Sequence, residues 1–225
     1  HDPLRRQRQM CIRDRCPPDK KLKEKYFNMA QEICMQDKVE HMMQFVSVDA
    51  WGKRAEYIRN GLDFNYMMDN VEEFLERIPG RNSITFICTY NNLSITSMDQ
   101  LLEKILELRA KYSTTYQRIW FDVPLLRQPT WQQITLLPES YQMIHEENIE
   151  YMQKHCGNDR GYSKFNDFEI QKMQRNLAYW RENADASTQN KKNFYAFFNE
   201  HDRRRLTRFL NTFPEMEEFW EECRN

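Results

Sequence analysis

The sequence predicts an α/β fold in which parallel strands are followed by a mainly helical C-terminal region. Two observations lead to this prediction. Up to Val123, short apolar runs that end in polar residues alternate with helix-like segments at a nearly constant interval. After Pro138, apolar residues recur at helical spacing, and the last glycine is Gly161. Alternating strands and helices of this kind form βαβ units with right-handed crossovers.

The composition limits the class of protein. The 225 residues, 40% hydrophobic and 30% charged, suffice for one large or two small domains with a real core. No apolar run approaches membrane-spanning length, so we expect no membrane partner. The net charge of -1 gives no global basic field, so we expect no nucleic-acid partner. Six widely spread cysteines without CxxC spacing, and no secretion signal, favour a reducing, cytoplasmic location.

Residues 1–15 differ in character from the rest of the chain. They carry five arginines and two aspartates but no apolar core, so they are not a secretory signal, although they could form a basic nucleic-acid arm. We interpret them as an adapter-like artefact, because Gln9 to Arg15 can be back-translated into a transposon end used in sequencing adapters. The N-terminal part of the parent protein is then missing. The rest divides into residues 16–138, which hold the strands, and residues 139–225, a helical domain.

The first predicted helix opens at Pro17–Asp19 and is followed by a strand around Val39 to Val48. A charged segment that favours a helix then continues to Arg59. The helix is predicted from apolar residues at helical spacing, which are Leu22, Tyr26, Met29, Ala30 and Ile33.

Asp63 is predicted to cap the next helix, which ends at Pro79–Gly80. Its apolar stripe consists of Met67, Val71, Phe74, Leu75 and Ile78. The second strand is the nearly continuous apolar run from Ile84 to Tyr90, which is typical of a parallel sheet.

Ser97 and Gln100 have the spacing of a capping box. The helix behind them is expected to bury Leu101, Ile105 and Leu108 and to end near Lys111. The third strand is predicted from Arg118 to Val123, and a short extended piece from Gln133 to Leu137.

Helices are predicted over residues 139–156, 164–184 and 190–210, with a short one after Pro214. Residues 158–161 and 184–188 are the predicted linkers. Two apolar stripes support these helices, one of Ile170, Met173, Leu177 and Trp180, and one of Phe194, Phe197, Phe198, Leu206, Phe209, Leu210 and Phe213.

Polar residues follow each predicted strand: Ser47 and Asp49, then Asn91 and Asn92, then Asp122. Because the carboxyl ends of parallel strands meet at one edge of a sheet, we expect these residues to share that edge. Sites in α/β proteins are commonly found there.

These residues carry a resemblance to a known family. At Ser47–Ala50 and Arg59–Gly61 the chain resembles the radical S-adenosylmethionine (SAM) enzymes. Later segments make it similar to the twitch-domain-containing radical SAM proteins over most of residues 36–225. Those segments are Asn91–Ser94, Phe121–Pro129, Asn199–Arg205 and Phe213–Glu215. The order and spacing of the segments carry the resemblance, rather than any one motif.

The resemblance implies a partial (β/α) barrel followed by the helical region, and an enzyme. In the parent, SAM would be cleaved reductively at a [4Fe–4S] cluster to start radical chemistry on an unknown peptide or small-molecule substrate, with an electron donor as partner. The family's CxxxCxxC loop, whose thiolates hold the cluster, is absent from the sequence, as is its Gly-Gly-Glu strand end. We therefore expect a C-terminal fragment that has no metal ligands and is inactive.

By the resemblance, Ser47 hydrogen-bonds the SAM ribose or carboxylate, Asp49 shapes that pocket, and Arg59 pairs with the carboxylate. The residues themselves leave plainer roles open. These are helix capping for Ser47 and Asp49, and a surface ion pair with Glu56 or Asp63 for Arg59.

The resemblance also places Asn91 and Asn92 at the edge of the SAM pocket, with the backbone near Val123 and Pro124 approaching the adenine. Turn chemistry is the alternative for the two asparagines.

Other polar clusters indicate less. His145 and His155 lack the spacing and neighbours of metal ligands, so we expect them on solvated helices. Residues 202–205, Asp-Arg-Arg-Arg, are expected to form a salt-bridged helix face rather than a site for an anion or nucleic acid. The alternative function is a non-enzymatic α/β-plus-helical interaction module whose aromatic-rich C-terminal face binds a partner protein.

Overall fold

The chain forms a mixed α/β structure, seen in a computed structural model that describes residues 21–225 except 37, 79 and 158–161. The predictions for residues 1–15, Pro17–Asp19, Pro79 and the linker at 158–161 lie outside the described residues. In chain order the elements are α1 (Lys23–Met35), β1 (Met43–Ser47), α2 (Gly52–Ile58), α3 (Phe64–Arg77), β2 (Ser83–Ile87), α4 (Met98–Tyr112), β3 (Ile119–Asp122), α5 (Gln142–Lys154), α6 (Asp167–Glu182), α7 (Thr188–Arg205), α8 (Phe209–Thr212) and α9 (Glu217–Arg224).

The strands form a small open sheet with the order β1-β2-β3, and both pairings are parallel. Ser47 pairs with Ile87, and Ile87 pairs with Asp122, so the strand ends are in register. The predicted parallel strands are therefore present, each shorter than the run that indicated it.

The two faces of the sheet differ in burial. Val46, Ile84 and Phe86 are fully buried on one face, where the Tyr26 hydroxyl of α1 donates to Gln44 Oε1 at 2.5 Å. With strands in sequential order, right-handed crossovers place α3 and α4 on one face as well. The opposite face is more open, and its Trp120 is 40% exposed.

Helix α3 follows its prediction closely. Asp63 is the N-cap and accepts from the Tyr66 N–H at 3.0 Å, and the whole predicted stripe is buried. At the other end, the buried Arg118 guanidinium donates to the carbonyls of Leu75 (2.8 Å), Ile78 (2.5 Å) and Asn82 (2.9 Å). This cation satisfies carbonyls that a helix end leaves without intrahelical partners.

The stripe predicted for α1 is partly wrong. Tyr26 and Ala30 are buried, but Leu22 and Met29 are exposed, and Phe27 is fully buried in their place. The buried face of α1 is therefore rotated towards Phe27, whose ring packs edge-on against Tyr26.

Two local predictions after the second strand are also wrong. Ser97 precedes α4 without a side-chain capping bond, because its Oγ accepts from the Trp51 N–H at 2.9 Å. The segment predicted as extended contains a 3₁₀ turn at Ile134–Leu136, closed by Leu137 N–H donating to the Ile134 carbonyl. A four-residue apolar run has too little periodicity to distinguish these conformations.

The helix predicted over 190–210 is broken at Leu206, which has a left-handed backbone (φ 55°) and is 95% exposed. Asp202 fixes this turn by accepting from Thr207 Oγ1 (2.7 Å), the Phe209 N–H (2.6 Å) and the Tyr57 hydroxyl (2.9 Å). Local hydrogen bonds to a carboxylate thus end the helix, although the apolar spacing continues.

Aromatic residues of α7, α8 and α9 form a core. The Phe209 ring stacks on Trp220 with centroids 4.4 Å apart. The α6 stripe is buried as predicted, but Phe197 and Leu206 of the second stripe are exposed. The buried rings from α7 to α9 are Phe194, Phe198, Phe209, Phe213, Phe219 and Trp220.

A buried ion pair joins the sheet to the C-terminal helices. Arg109 of α4 is fully buried and donates to both carboxylate oxygens of Glu169 on α6, at 2.6 and 3.1 Å. The same guanidinium donates to the carbonyls of Ile119 (3.1 Å) and Lys164 (2.9 Å). Glu169 also belongs to a capping box with Asn166 at the start of α6. One hydrophobic cluster includes residues from both sides of position 138.

We expect Glu169→Gln to lower the free energy of unfolding by about 3 kcal/mol, because it leaves a buried guanidinium without a counter-charge. Urea unfolding followed by circular dichroism measures this loss. Glu182→Gln, at an exposed position of the same helix, is the matched control and should change the free energy by less than about 0.5 kcal/mol. Equal effects of the two substitutions would contradict the assigned role of the pair.

Candidate functional site

The carboxyl edge of the sheet brings several of the predicted residues together around Thr89. Asp49 Oδ1 accepts from the Thr89 N–H at 3.2 Å, and Asn91 Nδ2 donates to the Thr89 carbonyl at 2.9 Å. Asp49 therefore links the loop after β1 to the loop after β2 through the Thr89 N–H. Asn91 stabilises that second loop through the Thr89 carbonyl. The prediction that polar strand ends meet at one edge is confirmed for these positions.

Arg59 lies at the end of α2, and its Nε donates to Asp49 Oδ2 at 2.8 Å. The ion pair is partly buried, with side-chain exposures of 25% for Arg59 and 10% for Asp49. Asp49 does not cap α2, since the N-cap of that helix is Trp51 and has no side-chain capping bond. Ser47 lies half-buried at the last position of β1.

The two asparagines have different tasks. Asn91 Oδ1 accepts from the Leu93 N–H at 2.9 Å, which is the turn chemistry that the sequence left open. Asn92 donates through its N–H to the Gln132 carbonyl and through Nδ2 to the Trp131 carbonyl, both at 3.0 Å. Asn92 thereby holds the segment after β3 against the edge of the sheet.

The carbonyls at the end of β3 also have partners within the chain. The Val123 carbonyl accepts from Asn176 Nδ2 at 3.0 Å, and the Pro124 carbonyl accepts from the Tyr90 N–H at 2.8 Å. Asp122 forms an ion pair with Lys172 of α6. The backbone positions predicted to approach an adenine therefore anchor α6 and the end of β2.

This edge is closed in the described structure. Asp49 is 7% exposed, Asn91 8% and Asn92 0%. Asn92 Oδ1 is buried and has no hydrogen-bond partner among the described residues. The arrangement consists of a neutralised ion pair and hydrogen bonds of the asparagine amides, and it orders the loops. Among the described side chains at this edge, Asp49 and Arg59 neutralise each other and Asp122 is paired with Lys172.

An open groove of about 580 Å³ lies beside this edge, where α2 begins. Its walls carry the Trp51 indole, the Lys53 and Arg54 cations, and the Gln100 and Asn211 amides. Lys53 is paired with Glu56 at 2.6 Å and Arg54 with Glu215 at 2.9 Å, so the two cations are neutralised within the chain.

The four described cysteines do not fit an iron–sulfur cluster. Burial raises the pKa of the Cys34, Cys88 and Cys223 thiols, and a cluster requires thiolates. Cys156 contacts Asp167, and its pKa is raised by burial and by that carboxylate. Over residues 21–225, leaving aside 37, 79 and 158–161, no group of three or more His, Cys, Asp and Glu could hold a metal ion.

Sequence reasoning missed the buried contact between Tyr90 and His145. The His145 Nε2 lies 2.9 Å from the Met173 carbonyl, which can only accept, so Nε2 carries the proton. The Nδ1 then accepts from the Tyr90 hydroxyl at 2.7 Å. His145 is 0% exposed, so the prediction of a solvated position is wrong. Its spacing to the buried Ile149 and Met152 of α5 was the available signal.

Comparisons with protein-family models, curated proteins and solved structures gave no match to this chain. Within the described part of the chain, no helix is both long enough and apolar enough to span a bilayer.

We expect Asp49→Ala to lower the free energy of unfolding by about 2 kcal/mol, because it removes a charged acceptor from Arg59 and from the Thr89 N–H. Chemical denaturation of the purified chain measures the change. Asp69→Ala, at an exposed position of α3, is the control and should be nearly neutral. A loss no larger than that of the control would show that the ion pair does not order this edge.

Burial lowers the pKa of His145, so the folded protein keeps this imidazole neutral. The unfolded chain takes up that proton near the ordinary value of about 6.5, so the stability contribution is complete above that pH and is lost as the pH falls below it. We expect the decline in unfolding free energy between about pH 7.5 and 5.5 to be smaller by up to about 1 kcal/mol in His145→Gln.

Urea titrations at the two pH values measure this difference. The pKa of His201 is also lowered by burial and by Arg205, so part of the decline remains in the variant. Met143→Gln, at an exposed position of α5, retains His145 and should keep the full decline. The assignment fails if His145→Gln shows the same pH dependence as the unsubstituted chain.

Proposed function

We propose that this chain is part of a radical SAM enzyme, contributing consecutive strands of a partial (β/α) barrel and a helical C-terminal region. The observation that carries the proposal is the parallel strand order β1-β2-β3 with polar residues at one edge. In a (β/α) barrel, consecutive strands are neighbours and the site lies at their carboxyl ends.

The unequal burial of the two faces supports a barrel segment over a doubly wound sheet. A doubly wound sheet carries helices on both faces. Here the face with Val46, Ile84 and Phe86 is fully buried, whereas Trp120 on the other face is 40% exposed. A barrel has its helices outside, and its inner face is filled by side chains from the remaining strands. The open face corresponds to that interior.

Asp49, Arg59 and Asn91 then mark the part of the edge that faces SAM in the parent, together with Ser47, Asn92, Val123 and Pro124. Their present partners are internal, so SAM binding requires the segment held by Asn92 to move or an upstream part of the parent to reshape the edge. The planar guanidinium of Arg59 suits a carboxylate, so it can pair either with Asp49 or with the carboxylate of SAM.

In the parent, a [4Fe–4S] cluster would supply the electron for reductive cleavage of SAM, and the radical chemistry would act on a peptide or small-molecule substrate. The four described cysteines do not fit that cluster, as shown above, and the sequence contains no CxxxCxxC. We therefore propose that this chain holds part of the SAM edge and that the cluster ligands belong to an upstream segment.

We expect anaerobic treatment of the chain with iron and sulfide to give no visible absorbance of a four-iron cluster and no stoichiometric bound iron. The reason is that the four described thiols form no cluster of ligands, and two of them, Cys88 and Cys223, are buried. A stoichiometric cluster on this chain would refute the division of ligands proposed here.

Binding of a cluster and of SAM is tested with a longer chain, extended upstream in the genomic reading frame. If the extension brings CxxxCxxC and Gly-Gly-Glu, the longer chain should bind a cluster and SAM. Arg59→Gln should then weaken SAM binding by about tenfold or more, since a charged hydrogen bond contributes about 1.5–3 kcal/mol. Arg81→Gln, which removes a cation stacked on the Tyr116 ring, is the control. A native start codon close to Cys16 without either motif would sink the proposal.

A further inference from the structure

The turn between α7 and α8 presents an apolar side chain among cations. Leu206 is 95% exposed, and its left-handed backbone (φ 55°, ψ 38°) is disfavoured for leucine and usually occupied by glycine or asparagine. The chain therefore accepts both an exposed isobutyl group and an unfavourable backbone at one residue. We call residues 203–208 the basic turn.

The basic turn is held in a fixed shape and carries excess positive charge. Asp202 anchors it through Thr207 and Phe209, as described above. Arg203 and Arg204 share one carboxylate, Glu200, and these two guanidinium groups lower its pKa to about 2. Arg208 is exposed and forms no ion pair with the part of the chain that the structure describes.

A surface of opposite character lies between α4 and α5. It is a groove of about 310 Å³, and Ile144 gives it an apolar wall. Asp99 and Glu103 line it from α4, and Glu147 from α5. Glu215 also lines it and is paired with Arg54. We call this surface the acidic groove.

We propose that the chain associates with a second copy of itself, with Leu206 of one copy inserted into the acidic groove of the other. The argument is complementarity of charge and of apolar character. The groove offers an apolar wall to the leucine, and its Asp99, Glu103 and Glu147 face the arginines that flank it. Each copy carries both surfaces, so each can donate a basic turn and receive one. This inference does not rest on the proposed function.

The kind of contact follows from these two surfaces. A turn in a groove buries little area, so the complex belongs to the small, transient class of interfaces. Exposed arginine–carboxylate pairs are screened by salt and govern the association rate. Because the two surfaces differ, the contact is heterologous and can propagate beyond a dimer unless its geometry closes.

The test is sedimentation velocity of the full chain over a concentration series, at low and at high salt. The expected result is concentration-dependent association that is weaker at high salt. Leu206→Asn should weaken it by about tenfold or more, because asparagine tolerates the left-handed turn but removes the apolar group. Met35→Asn is the matched control, because Met35 of α1 is also exposed (69%). This variant should associate as the unsubstituted chain does.

The acidic groove is tested by substitutions on α5. Glu147→Lys should weaken association as much as Leu206→Asn, whereas Glu150→Lys, exposed on the same helix but outside the groove, should weaken it less. A mixture of the Leu206→Asn and Glu147→Lys chains should form a mixed complex, since one provides an intact groove and the other an intact basic turn. Circular dichroism establishes that each variant is folded.

Three results would overturn the proposal. The first is a monomer at every concentration and salt. The second is equal association of Leu206→Asn and the unsubstituted chain. The third is failure of the two weakened chains to associate when mixed, because a basic turn in an acidic groove requires that pairing to succeed.

Discussion

The Arg109 guanidinium is the group on which the arrangement of this fold most depends. It is a fully buried cation, and removing a charge from water is costly unless its partners are complete. Those partners come from β3, from the segment before α6, and from Glu169 on α6 itself. The sheet and the C-terminal helices must therefore reach their places together, because each alone would leave a charge unpaired.

A second buried polar contact also joins the strand region to the C-terminal helices. Tyr90, in the loop after β2, donates to His145 of α5, and His145 donates to a carbonyl of α6. Together the two contacts fix the helices after position 138 against the strand ends. This explains why the polar edge is closed: the C-terminal region, through Asn176 and the segment bonded to Asn92, occupies the space in front of it.

Local patterns predicted much of the fold. Asp63 with its apolar stripe located α3, and three apolar runs located the three strands, because these signals depend only on neighbours in sequence. The same patterns failed where distant groups compete. Ser97 bonds to Trp51 instead of capping α4, and Asp202 ends α7 although the apolar spacing continues. Arg109 stands one turn after Ile105 on the apolar face, but nothing in the sequence indicates Glu169 as its partner.

The candidate site shows the same division. The location of Asp49, Asn91 and Asn92 at one edge followed from the parallel sheet, which sequence periodicity indicated. The partner of Arg59 did not, since Glu56, Asp63 and Asp49 are all within reach of a long side chain before folding. Closure of the edge depends on the position of the segment after β3. That segment contains only a short apolar run without periodicity, so its position could not be predicted from the sequence.

The position of Arg118 has an evolutionary consequence. Its guanidinium spreads three donors over carbonyls that come from the end of α3 and from the loop that follows. A lysine ammonium is a single point of charge and cannot present the same planar fork. In descendants that keep the connection between α3 and β2, we therefore expect this codon to tolerate only synonymous change, even though lysine conserves the charge.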